Sequence, residues 1–367
     1  MLPLLAENFG NASSVHAVGR AARAAIDDAR DRLATLLLVQ PHELIFTSGG
    51  TESNNLGVIG LAQAHTQRGK HLVSARTEHH AVLHAVEHLE KCAGFEVTWV
   101  EVARDGAVNL NHLADSIRDD TTVVSLMYAN NETGAVQPLS EISQICRARG
   151  VLLHSDMVQS FGKLDTDLSL VDAASFAAHK FYGPKGAGLL FVRAGIAIDA
   201  LQFGGAHENQ RRPGTENCPA IAGMAAAAEF VEEGRLLEQD RQRALRDQLW
   251  DEIHKIPGVH RNGEGGLANT LHVSFPGLES ETLLMMLDLE GVGASSGSAC
   301  MVGSVVASHV LLAMGLPLEI ADSAVRLSLG KFTTPDEVDR AGKIVGRVLD
   351  RLSAAASRRG SGAYAAI

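Results

Sequence analysis

Apolar positions along the chain follow two alternating rhythms, short continuous runs and longer stretches with helical spacing. The helical spacing predicts helices over residues 18–38, 52–68, 81–91 and 139–149. Between and after them, short runs rich in β-branched and aliphatic residues predict strands over 43–47, 71–74, 96–100, 121–126, 151–155, 173–176 and 188–192. Strands alternating with helices imply an α/β fold with a mostly parallel central sheet covered on both faces. In such sheets ligands sit beyond the carboxyl ends of the strands. A long helical stretch over 219–256 then leads into a second region. There the pattern predicts strands over 270–275 and 325–329 and helices over 280–289, 305–314 and 335–352. The division expected is a large domain over 1–237, a smaller α+β domain over 238–352, and a flexible tail of small, polar and basic residues over 353–367.

Composition narrows the picture. At 367 residues, 46% apolar and 20% charged, the chain is long enough for two cored domains. A net charge of −11 offers no global attraction to nucleic acid or anionic membranes. No apolar run approaches the ~18 residues of a membrane span. The N-terminus lacks a basic stretch followed by an apolar core, so a cytoplasmic protein is expected. The four cysteines, Cys92, Cys146, Cys218 and Cys300, form no CxxC pair and no zinc spacing, so no metal site is expected and free thiols are. Cys92 and Cys146 fall in helical patterns, as small core residues do, and Cys218 lies near a helix start. Cys300 stands apart, in the glycine- and serine-rich segment GVGASSGSACMVG.

Several strand ends carry candidate chemistry. In TSGGTESNN, a strand ends, Gly49 and Gly50 turn the chain, and a helix starts near Thr51. The free N–H groups of a helix start suit a phosphate, and an ordinary cap by Thr51 or Ser48 is the alternative. His179-Lys180 sits between apolar flanks in AAHKFYGPKG, which predicts a partly buried amine suited to Schiff-base chemistry, against a plain surface lysine. Asp156 follows an apolar strand, where it can cap a helix or salt-bridge a pyridine nitrogen, and Gln159 lies three residues on. His79 can stack on a ring or cap a helix. His80, His84 and His88 follow at helical spacing, but nothing completes a metal site around them. Together with the Asn130-Asn131 turn, these features all follow strands of one sheet.

In this combination the chain resembles the class V aminotransferases, with the aspartate aminotransferase-like fold of pyridoxal-phosphate (PLP) dependent transferases. Within them it is similar to the NifS/IscS-like cysteine desulfurases. The motifs are ENFGNASSVHAVGR from Glu7, FTSGGTESNN from Phe46, TEHHAV from Thr77, ANNETGAVQP from Ala129, HSDMVQSFGK from His154, AAHKFYGPKG from Ala177, RRPGTEN from Arg211, SSGSAC from Ser295 and VRLSLGKFTT from Val325. The resemblance implies that Lys180 holds the cofactor, His79 stacks on its ring, Asp156 pairs the ring nitrogen and Gln159 the phenolic oxygen. Gly50, Thr51 and His179 would sit at its phosphate, and Thr215 at the phosphate of a second subunit, implying a homodimer. Asn131 would contact the cofactor edge or the substrate carboxylate, and Arg326 would clamp that carboxylate. Cys300 would receive sulfur from L-cysteine as a persulfide, for delivery to an acceptor protein such as an iron–sulfur scaffold, with alanine released.

The resemblance also marks departures. Relatives are expected to carry about twenty further residues before MLPLLAENFG, Ala177 stands where a phosphate-binding serine is common, and Asn209 and Lys331 replace frequent arginines. Three other functions share these motifs: a selenocysteine lyase, another PLP enzyme such as an aminotransferase, and a catalytically silent scaffold for sulfur transfer.

Overall fold

The structure is a computed structural model that describes residues 1–263, 265–297 and 307–360, with side chains to 352. Two compact units emerge. The first comprises Met1–Val102, Ala107–Asn130 and Gln137–Arg235, and the second Ala103–Gly106, Asn131–Val136 and the chain from Leu236 onward.

The first unit is built on a seven-stranded sheet of β1 (Leu44–Thr47), β2 (His71–Ala75), β3 (Glu96–Val100), β4 (Thr121–Ser125), β5 (Leu152–Asp156), β6 (Ala173–Ala177) and β7 (Gly188–Val192), in the order β1-β7-β6-β5-β4-β2-β3. The pairs from β6 to β3 are parallel, while β7 runs antiparallel to both β6 and β1. Two reversals restore direction, so β1, β2, β4, β5 and β6 all end at the same edge. Strands β2, β4, β6 and β7 are buried at every position, as strands covered on both faces are. Helix Ala17–Leu37 buries Ala22, Ile26, Ala29, Leu33 and Leu37 at helical spacing and packs on helix Cys218–Glu232.

One helix sets the site. Gly50–Asn55 continues through a π-helical turn, Leu56–Gly60, into Leu61–Ala64. Gly50, Asn54 and Gly57 fall at i, i+4 and i+7, one face of that helix. A Cβ on Gly50 would lie 2.8 Å from Val158, and one on Gly57 would lie 2.8 Å from the His154 ring. Small side chains therefore let the helix lie directly against β5 and the turn that follows it. His154 itself bridges the sheet, bonded to Ser125 on β4 and Ser175 on β6 at 2.9 Å each.

The second unit holds an antiparallel sheet of β8 (His260–Arg261), β9 (Thr270–Ser274) and β10 (Ala324–Ser328), in the order β10-β9-β8. Its core joins Leu245, Leu249, Leu271, Val273, Val325 and Val348 from those strands and two flanking helices.

Several expectations are corrected. The helical stretch over 219–256 is two helices, Cys218–Glu232 and Arg235–Ile253, because Gly234 takes φ 71° and ends the ladder. Helices Leu110–Ser116 and Leu318–Asp322 and strand β8 were too short to show a period. The last helix runs Pro335–Gly360, past residue 352. The helix expected over 305–314 is His309–Ala313 in its described part. Cys92 is exposed rather than core, in the last turn of helix His80–Ala93 past its final buried position, Leu89. Among the described residues no helix is long and apolar enough to cross a membrane, and no cluster of metal-ligating side chains occurs.

Candidate active site

The shared strand edge gathers the candidates in spatial order. Gly50 and Thr51 follow β1, His179 and Lys180 follow β6, Asp156 ends β5, Asn130 follows β4 and His79 follows β2. Neighbouring strands lie about 4.8 Å apart, so this edge concentrates residues from five strand ends.

Asp156 is the best-defined member. It is buried, and both carboxylate oxygens accept hydrogen bonds: Oδ1 from the Val158 N–H at 2.9 Å and Oδ2 from Asn54 Nδ2 at 2.6 Å. Burial pushes its pKa up, opposed by the Val158 N–H, the His79 charge, the Asn54 amide and the Lys180 charge. His79 and Lys180 thus both act electrostatically on this carboxyl. Asn54 carried no signal beyond its place in TSGGTESNN, where a polar residue shares a helix face with two glycines.

His79 does cap a helix. It is the N-cap of His80–Ala93, and its Nδ1 accepts from the Ala81 N–H at 3.1 Å. That bond fixes the orientation of the ring. The preceding turn is tied to β4's exit by Asn130 Nδ2 donating to the Thr77 carbonyl at 2.9 Å and the Met127 N–H donating to Glu78 Oε1 at 2.7 Å. Glu78 is a second buried carboxyl that the sequence reading passed over. Burial raises its pKa well above the usual range, the Met127 N–H opposes that rise, and the Asp156 charge adds to it.

Lys180 departs from expectation. It sits in the 3-10 turn Ala178–Phe181, and both it and His179 are exposed, while Ala178 and Phe181 are buried. With three residues per turn, Ala178 and Phe181 share the buried side and the basic pair takes the other. Tyr182 then takes φ 66°, a left-handed conformation uncommon outside glycine, and closes the turn. Desolvation lowers the His179 pKa, and the charges of Lys180 and Lys185 lower it further.

Around the phosphate candidates, Gly49 rather than Thr51 or Ser48 is the N-cap. Thr51 lines a cleft of about 440 Å³ with Ser48, Asn55, Gln202, Arg211 and Arg212. Thr215 is exposed and lines an adjoining cavity that also includes Ser48 and Arg212. Arg212 is held by Glu52 at 2.8 Å. Gln159 is half-buried, and its Oε1 lies 3.4 Å from Lys163 Nζ.

Asn131 and Arg326 belong to the second unit. Arg326, on β10, donates from Nη1 to the Asn131 carbonyl, and its backbone pairs with Ser295 at 2.7 and 3.1 Å. Glu132, buried beside them, accepts from Ser308 Oγ at 2.5 Å. Cys300 lies outside the described residues.

The residues of the first unit fit PLP on their own chemistry. A lysine amine suits the aldehyde. A buried carboxylate, oriented through both oxygens, suits the ring nitrogen. The helix start at Gly50, with no space for a side chain, suits close approach of a phosphate.

Comparisons with known proteins agree with this chemistry. A family model described as aminotransferase class-V matches residues 1–341. The cysteine desulfurase IscS of Methanosarcina thermophila is 43% identical over 361 residues, 96% of this chain and 88% of that one. A solved structure titled NifS-like protein superposes with a TM-score of 0.89 at 36% identity, covering 95% of this chain and 94% of the other. One titled SspA in complex with cysteine gives 0.79 at 32% identity, covering 90% and 94%. Matched along nearly its whole length, the chain belongs to the class-V aminotransferase family.

Proposed function

We propose that the chain is a PLP-dependent cysteine desulfurase, which takes sulfur from free L-cysteine and releases L-alanine. The observation that carries the reading is the shared strand edge, where His79 and Lys180 act on the buried Asp156. The relatives named cysteine desulfurase and the relative solved with cysteine support the substrate.

PLP, when bound, supplies an electron sink for the substrate's α-carbon. Lys180 would hold the cofactor by its amine, and as a free amine it would take the α-proton of the substrate. His79 would present its imidazole to the cofactor ring, Asp156 would hold the ring nitrogen by charge and Gln159 the phenolic oxygen. Gly50, Thr51 and His179 would hold the phosphate. Arg326 clamps the substrate carboxylate, a planar anion matched to its fork, with Asn131 beside it. The Cys300 thiolate attacks the substrate sulfur, so a sulfur–sulfur bond forms as the substrate's carbon–sulfur bond breaks. Thr215 reaches the phosphate of a second copy, making the working form a homodimer. The persulfide passes to an acceptor protein, such as an iron–sulfur scaffold in the cytoplasm.

Product analysis tests the reading. Full-length protein loaded with PLP and given L-cysteine and a thiol reductant is expected to yield alanine and sulfide in equal amounts. An oxo acid in place of alanine would make the chain an aminotransferase instead.

A further inference from the structure

One face of the helix that begins at Gly50 meets β5 and the turn that follows it. Gly50 faces Val158, Gly57 faces His154, and between them Asn54 faces Asp156. Asn54 is 1% exposed, its amide nitrogen lies 2.6 Å from Asp156 Oδ2, and its Oδ1 is buried with no hydrogen-bond partner among the described residues. The reverse orientation of the amide would set two acceptors 2.6 Å apart, so the donor faces the carboxylate. Leaving the amide oxygen unpaired costs stability, a cost accepted here for a single directed bond.

We propose that Asn54 is a positioning residue for the cofactor's ring nitrogen: with the Val158 N–H it fixes the Asp156 carboxylate at both oxygens, leaving that carboxylate a fixed orientation toward the ring. The proposal rests on Asp156 being the ring-nitrogen partner. Two further observations support it. The glycines on either side of Asn54 let the helix approach β5 and its exit turn closely enough for the short Asn54 amide to reach the carboxylate. Glu78, the neighbouring buried carboxyl, accepts from the Met127 N–H at Oε1, whereas Asp156 accepts a bond at each oxygen, so Asp156 is the carboxyl oriented at both oxygens. Asn54 donates to Asp156, and a donor favours the charged form.

Equilibrium binding to the full-length apo protein tests this without catalysis. Two ligands are compared, PLP and the analogue whose ring nitrogen is replaced by C–H. Asn54→Leu, similar in size but without a donor, is expected to weaken PLP on the order of ten-fold and the analogue less than two-fold. Asn54→Ala carries the test if the leucine variant does not fold. Asp156→Asn serves as reference and is expected to show the same selective loss. Equal weakening of both ligands by the Asn54 variants, or no weakening, overturns the inference while a selective Asp156→Asn result leaves the underlying reading standing. An Asp156→Asn protein that does not discriminate between the ligands removes the reading and the inference together.

Discussion

Arg326 on β10 donates from Nη1 to the main-chain carbonyl of Asn131, so one arm of the guanidinium is already anchored to the turn. An arginine can hold that anchor and still present its other N–H groups as a fork to a carboxylate, whereas a lysine has one nitrogen for both tasks. Arg326→Lys is therefore expected to raise KM for L-cysteine more than ten-fold, with a smaller fall in kcat. Steady-state alanine formation checks it, and an unchanged KM would place the substrate carboxylate elsewhere.

The loop that leads to Thr215 stores strain. Glu208, Asn209 and Gln210 take φ of 48°, 56° and 65°, three successive left-handed residues without a glycine. Glu208 holds them, with Oε1 accepting from Arg30 at 2.6 Å and Oε2 from the Phe46 N–H at 3.0 Å. Glu208→Gln leaves the Arg30 guanidinium without its counter-charge, and a loss of about 3 kcal/mol is expected. Urea unfolding of the apo protein measures it. A loss below about 0.5 kcal/mol, the range of ordinary surface substitutions, would show that the loop is held by other contacts.

Ala177 offers a gain rather than a loss. It ends β6, is buried, and lies where a Cβ on Gly50 would come within 3.2 Å. Ala177→Ser adds a hydroxyl beside the turn read as the phosphate site. PLP is expected to bind several-fold tighter, consistent with one hydrogen bond of about 1 kcal/mol to a charged partner. Titration of the apo protein with PLP decides, and weaker binding would separate residue 177 from the phosphate.

His154 sets an acid limit on the fold. Burial holds its pKa at about 3, well below the ~6.5 of an unfolded histidine, so it is neutral when folded. A histidine depressed in this way contributes fully above about pH 6.5, and its contribution falls away as pH drops toward 3, because only the unfolded chain takes up the proton. His272 in the second unit behaves alike, also at about 3, from burial and then the Arg326 charge. His154→Gln is expected to flatten the decline of unfolding free energy between pH 6.5 and 4. An unchanged slope in denaturant titrations across that range would contradict it.

The alternation of runs and helical stretches made the parallel sheet legible, because fully buried strands such as β7, Gly188–Val192, carry no polar side chain. The site candidates were legible because each follows a strand, and strand ends are visible as the last apolar residue before a polar turn. The exposure of Lys180 was not, since its apolar flanks belong to a three-residue turn that separates them from it. Asn54 and Glu78 escaped for another reason. Their roles depend on partners 102 and 49 residues away, Asp156 and Met127, and no local pattern encodes such a pairing. Gly234 escaped because a single glycine inside a helical period is common, and only its positive φ shows that the helix ends there.

In the proposed reaction sulfur leaves free cysteine and comes to rest on one thiol of this chain. The most direct measurement gives PLP-loaded protein a short exposure to L-cysteine without reductant, alkylates it, and locates the added sulfur by peptide mass. A persulfide is expected on the peptide containing Cys300, with Cys92, Cys146 and Cys218 unmodified, and its loss is expected in Lys180→Ala. A persulfide confined to another cysteine, or alanine formed at the full rate by Cys300→Ala, would contradict it.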